Sequence, residues 1–298
     1  MYRLFVIARH TFFEAVSQPI FSLVLLIGAS LVAILGMLPF FTLGEDTRMF
    51  KSVATDVVLL LVLIVTLLTT SRSIYEEIED RTMLTLMSKP VSRLTVLAGK
   101  YLGLIASAAV SVAVLGVVIA VCVYYRIPDD YLIPARSLFA DQQKRLADYR
   151  LMHLAGIAPG MVLVWLQVSV LAAISVAIST RFSFVVNLPA VVLIYLAGNM
   201  TRFIDAAVAD RSVLVRGFGW VIQTTFPFLG AFDRRDLTVF ATIKLDGTLF
   251  ANAFDGIPMS DLWLATGQAG LYALFYTIAA LAAGLLMFRS RELGGGEG

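Results

Sequence analysis

The sequence predicts an all-α integral membrane protein with six transmembrane helices. Three observations carry this. Of 298 residues, 59% are hydrophobic and only 15% charged, and the mean hydropathy is +0.87, whereas a soluble domain carries roughly a quarter charged residues. The apolar residues gather in six runs, most of them near the length of about 20 residues that crosses about 30 Å of hydrocarbon as a helix. The runs lack the alternation of a barrel wall, and in lipid only helices and closed barrels satisfy every backbone group.

The elements follow in order. Residues 1–18 form an N-terminal amphipathic helix expected to lie on the membrane surface: Leu4, Phe5, Ala8, Phe12, Ala15 and Val16 repeat near helical spacing, with Arg3, Arg9 and Glu14 elsewhere. Pro19 marks the bend into the bilayer. The first span, Ile20–Phe41, is too long for a signal-peptide core and lacks a clear small-residue cleavage site. The second is Val53–Thr70, with Asp56 near its start. The third is Tyr101–Tyr124. The fourth, Ile157–Ser179, follows a Gly-Ile-Ala-Pro-Gly entry. The fifth, Phe184–Asn199, is short and carries Asn187 and Pro189. The sixth is Leu262–Phe288.

Six spans place both termini on one side. With that side cytoplasmic, the inner segments and flanks hold Arg3, Arg9, Arg72, Arg81, Lys89, Arg93, Lys100, Arg181, Arg289 and Arg291. The outer segments hold more basic residues, but they are longer and their acids balance them, so charge favours cytoplasmic termini. Two outer segments result, 125–156 and 201–261. In the first, Leu138, Gln142, Leu146, Tyr149 and His153 would share one helix face, with His153 as a polar edge residue rather than a metal ligand. In the second, an apolar stretch broken by Gly217, Gly219 and Pro227 reads as short helices dipping into the outer leaflet. A seventh span there is the alternative, and it would reverse the C-terminus. The whole of 1–298 reads as one transmembrane domain.

Chemistry on the chain itself is not expected. It has no GxxxxGK[ST] loop to cradle nucleotide phosphates, and no HExxH, CxxC or GxSxG. Its two histidines, His10 and His153, lie outside the spans. Its single cysteine, Cys122, excludes an internal disulfide and reads as a small buried hydrophobe. A net charge of +2 gives no electrostatic footprint for nucleic acid. Polar residues within spans are costly and so informative. Asp56 is the one acid within a span. It reads as an interfacial acid at a helix start, with a place in an ion or substrate path as the alternative. Gln167, Asn187, Tyr195 and Asn199 read as helix–helix hydrogen bonds, and Gln167 and Asn187 are the alternative members of that path. A single acid without an intramembrane basic partner does not equip a proton-coupled carrier. Small residues (Gly103, Ala106, Ser107, Ala109; Ala172, Ala173, Ser175, Ala177) permit close helix packing, within the chain or across a dimer.

The segment Ser71 to Gly103 stands apart. It is the one long charged stretch held tightly between two apolar spans. Acids gather at Glu76, Glu77, Glu79 and Asp80; Met83, Leu84, Leu86 and Met87 follow at helical spacing. Pro90 stops that helix and Ser92 caps the next. An amphipathic helix tied to spans at both ends is a lever: what pushes it moves the spans.

This segment resembles the characteristic block of the type-two ATP-binding-cassette (ABC) permeases, the membrane subunits of bacterial ABC exporters. That block reads E-x-E-x-G-T, a leucine-rich turn, S-x-P-V-S-R, then G-K. The matches are Glu77, Glu79, Thr82, Leu84, Leu86, Ser88, Pro90, Val91, Ser92, Arg93, Gly99 and Lys100; Arg81 stands where glycine is common. The six spans, the amphipathic N-terminus and the long outer segment before the last span are similar too, and Pro227 to Asp233 resembles a proline-then-Phe/Asp pattern of the family. The resemblance implies a cytoplasmic coupling segment at 72–98, with Glu77–Met87 as a coupling helix seated in a separate cytoplasmic ATPase subunit. Glu76, Glu77, Glu79, Asp80, Thr82, Leu84, Leu86, Ser88, Pro90 and Arg93 would make that junction. ATP and Mg would sit on the ATPase, with no cofactor on this chain. A second permease copy or a paralogue would complete a dimer in the lipid of a bacterial cytoplasmic membrane. A non-transporting anchor that recruits a partner, or an ion-coupled carrier, are the alternatives.

Overall fold

The structure is a computed structural model, and it describes residues 2–39, 46–79, 92–127, 139–208, 217, 226–248, 251 and 256–289. Among the described residues eight long helices carry the fold: α1 (Tyr2–Ser17), α2 (Pro19–Met37), α3 (Asp46–Ser71), α4 (Arg93–Arg126), α5 (Phe139–Ala155), α6 (Ile157–Ser179), α7 (Phe184–Val208) and α8 (Met259–Arg289). Six of them, α2, α3, α4, α6, α7 and α8, are long and apolar enough to cross a membrane.

The helices begin and end where local chemistry dictates. Pro19 sits in the first turn of α2, where its missing N–H costs nothing. Pro39 holds Leu38 extended (φ −78°, ψ 133°), so α2 stops at Met37, short of the expected Phe41. Ser92 caps α4 as expected, its Oγ accepting from Thr95 N at 3.2 Å. From that cap α4 runs unbroken to Arg126, so the third span starts eight residues earlier than its apolar stretch. α7 continues past Asn199 to Val208. α3 does not stop at Ser71: a π turn, Arg72–Glu76, carries it into Glu77–Glu79.

α6 is the central post. It is apolar on every side, and Val168, Val170, Leu171, Ala172, Ala173 and Val176 are fully buried. Around it, α3 and α4 supply most of the main core, including Phe50, Val58, Leu67, Leu115 and Ile119. A second apolar cluster (Ile74, Ile78, Val96, Leu97, Tyr101, Leu104, Phe288) lies beneath the π turn. α1 runs along α4. A Cβ on Gly103 would lie 2.5 Å from Ala8 O and 2.7 Å from Thr11 Cβ, so only glycine admits α1 this close. The face α1 turns inward is centred on Thr11 and Ala15; Phe5, expected on that face, is exposed with Tyr2, Val6 and Phe13.

Two features depart from an all-helical reading. β1 (Thr242–Lys244) pairs in parallel with β2 (Gly256–Pro258), in register Thr242↔Gly256, Ile243↔Ile257 and Lys244↔Pro258. A 3-10 turn (Leu229–Ala231) and a second π turn (Asp236–Phe240) precede them. The segment expected to dip into the outer leaflet lies mostly outside the described residues.

Candidate functional site

Side-chain bonds gather helix termini into two opposite ends. At one end, α3 passes into its π turn beside the start of α4. Lys100 is buried there, and its Nζ donates to Glu77 Oε1 at 2.6 Å, to Ser73 Oγ at 3.1 Å and to Ser73 O. A buried ammonium needs such a partner set, because an uncompensated charge in low dielectric is strongly disfavoured. Arg93 Nη1 donates to Phe288 O at 2.9 Å, and its guanidinium stacks over the Phe288 ring at 5.3 Å. The first turn of α4 is thereby fastened to the last turn of α8. Asn187, fully buried, closes the group: its Nδ2 lies 2.8 Å from Ser71 Oγ, 2.8 Å from Ser175 Oγ and 2.9 Å from Ser179 Oγ. One amide therefore ties α3, α6 and α7 together just before the π turn. Of the acids singled out from sequence, Glu76 and Glu79 are exposed and Glu77 is half-buried. Asp80, Thr82, Leu84, Leu86, Ser88 and Pro90 fall outside the described residues.

At the other end a cavity of ≈ 50 Å³ lies between α3, α6, α7 and the 226–248 segment. Asp56 is on its wall and is not alone, as the sequence had implied. Arg235, 179 residues further on, meets it with two parallel bonds, Nη1 to Oδ2 at 2.8 Å and Nη2 to Oδ1 at 2.6 Å. The fork geometry fixes direction as well as distance. Arg235 also reaches Ser52 Oγ at 3.1 Å and, through Nε, Asp233 Oδ1 at 3.1 Å. Ser52 and Asp56 are one helical turn apart and share a face. The π turn Asp236–Phe240 is brought against the start of α6 at Gly156, where a Cβ would run into Thr238 O.

Gln167 and Asp56 line this same cavity, while Asn187 lies apart from it. Tyr195 and Asn199 line it as well, and Asn199 turns its amide to Tyr195 O at 2.9 Å. The helix–helix reading describes Asn187; Gln167, Tyr195 and Asn199 face the cavity instead. Sequence reasoning missed Lys51, Asp233, Arg234 and Arg235. The run Asp233-Arg234-Arg235-Asp236, directly after an apolar stretch, was the available signal. His153 corrects another expectation: it is buried, not at a polar edge, and packs edge-to-face on Tyr149 at 4.7 Å. α5 folds its apolar side, with Leu146 and Met152, into the protein, and the imidazole follows.

Comparison with known families agrees with this architecture. The model of the ABC-2 family transporter proteins matches residues 6–293, nearly the whole chain. The chain belongs to the ABC-2 family of transporter permeases. No curated protein matches it in sequence. This ABC-2 permease is therefore a multi-pass membrane protein and a membrane subunit of an ABC transporter, a transport component rather than a catalytic one. The residues that carried the resemblance divide in the structure. Glu77, Arg93 and Lys100 of the permease hold its own helices together, and Glu76 and Glu79 of the same segment stay open.

Proposed function

We propose that this permease serves an exporter, with a separate cytoplasmic ATPase subunit seated against its 77–87 segment and both termini on the cytoplasmic side of a bacterial inner membrane. ATP and Mg belong to that ATPase. Two permeases, identical or paralogous, form the path between them. Closure of the ATPases pushes the segment, and α3 and α4 transmit the movement.

The observation that supports this most is the anchoring on either side of residues 80–91. A lever transmits force only when its ends are fixed. Here Glu77 is bonded to Lys100, Lys100 to Ser73, and Arg93 to the end of α8. A solvated loop has no use for a buried lysine and a stacked arginine at its two roots. Asp56 and Gln167, facing one cavity at the opposite end, are the residues of this chain best placed to meet cargo; Asn187 is a tie between helices.

The test separates docking from folding. Glu77 is unsuitable, since changing it also breaks the Lys100 pair. The double variant E76K/E79K reverses two exposed charges and leaves that pair intact. Co-expressed in turn with each candidate ATPase subunit of the source genome, the wild-type permease should co-purify with one of them. The variant should insert normally and lose that ATPase. Equal recovery of the ATPase with both would refute the coupling role.

A further inference from the structure

The cavity beside Asp56 is lined by three cations, Lys51, Arg234 and Arg235, and by two carboxylates, Asp56 and Asp233. Both carboxylates are engaged by Arg235. Lys51 is only 4% exposed, and its ammonium has a single hydrogen bond, to His153 O at 3.3 Å, with no carboxylate in ion-pair reach among the described residues. Arg234 lines the same cavity, and its buried Nε has no hydrogen-bond partner among the described residues. A lysine so deeply buried, with two protons unused and no counter-charge among the described residues, is a group that an incoming anion would stabilise in its charged form.

We propose that this cavity is an oxyanion site that takes one phosphate group, held by Lys51 and Arg234. The cavity, ≈ 50 Å³, has room for a few waters and so for a small oxyanion. The wall fits as well. Gln167 and Tyr195 add neutral donors, and Leu59, Ile119 and Val164 keep the floor apolar, where a charge-assisted bond is strongest. Arg235, locked between its two acids, braces the wall and leaves the other two cations for the ligand. The phosphate is either free in the aqueous phase or the headgroup of an anionic lipid, since the cavity lies at the helix ends where both are present. The site does not depend on ATPase docking, so either can fail alone.

The experiment uses the full chain in nanodiscs. In phosphatidylcholine discs, inorganic phosphate is titrated against chloride at equal ionic strength, and binding is followed by calorimetry and by the thermal unfolding midpoint. In a second arm, phosphatidylglycerol replaces part of the phosphatidylcholine and phosphate is absent. A free-phosphate site gives saturable phosphate binding and a raised midpoint in the first arm only. A headgroup site gives a raised midpoint in the second arm and suppresses phosphate binding there. In either case K51Q and R234Q should weaken the effect by about tenfold or more, and D56N, which frees Arg235, should strengthen it. Arg234 is only half-buried, so R234Q keeps the test sound even where K51Q fails to fold. Identical behaviour of wild type in phosphate, chloride and both lipids would overturn the proposal, and so would an undiminished response in R234Q.

Discussion

Each end of the helix bundle carries an acid–base pair, and the two are built to opposite designs. Lys100 and Glu77 are 3% and 23% exposed and meet across two neighbouring helix termini only 23 residues apart. Arg235 and Asp56 are 31% and 44% exposed and join a helix to a loop 179 residues away. In the first pair the lysine is buried and its acid half-buried, so the ammonium depends on that carboxylate for its counter-charge. The second is wetted and forked, so it fixes a direction at small energetic consequence. If the first end is the lever and the second admits the solute, as proposed, the two kinds of pair suit the two tasks.

The sharpest way to break this contrast is to remove one partner from each pair. E77Q should destabilise the protein by about 3 kcal/mol, because it leaves the buried Lys100 ammonium with Ser73 alone and no counter-charge. Thermal unfolding in nanodiscs reads this, and the double variant E77L/K100M should recover much of the loss. If E77Q were no worse than D56N, the distinction between the ends would fall.

Next in size is G156A. Its methyl would displace the turn that carries Thr238 and the neighbouring Arg235, at a cost of about 1–3 kcal/mol. It should also abolish the phosphate response while Glu77–Lys100 is intact, which calorimetry would show. N187L follows, at about 1–2 kcal/mol, because it frees the hydroxyls of Ser71, Ser175 and Ser179; comparing unfolding midpoints checks it. The smallest effect on stability is D56N, at most about 1 kcal/mol, with that difference fading as salt is raised. A large, salt-independent loss from D56N would show that the pair is sealed after all.

The spans were legible because apolar runs of membrane length have few alternatives. Their polar roots were not. α4 begins at Arg93, well before its apolar run, because Phe288 O, Ser73 and Glu77 supply what water would otherwise give to Arg93 and Lys100. Such partners come from other helices and leave no local pattern. The same is true of Asp56: its place in a span was plain, and its arginine, far along the chain, was not. Lys51 drew no notice in the sequence, because what buries it, including the carbonyl of His153, lies 102 residues away. His153 itself misled because a polar residue on a helix face was given to the edge, whereas it is buried beside Tyr149 on a face that also buries Leu146. Asn187 was read rightly as a bond between helices, since an amide inside a span has few other ways to be satisfied. The paired strands β1 and β2 are three residues each, too brief for alternation to register.

The π turn at Arg72–Glu76 has a consequence for anything attached beyond it. Such a turn stores one residue more than ordinary helical winding. Were it to relax to α geometry, the chain beyond would advance by about 1.5 Å and swing by about 100° around the axis of α3. Glu77 would be carried off Lys100 in the same stroke. A small change of winding at the end of α3 is thus exchanged for a large change of heading beyond it, and the buried lysine is the catch that opposes the slip.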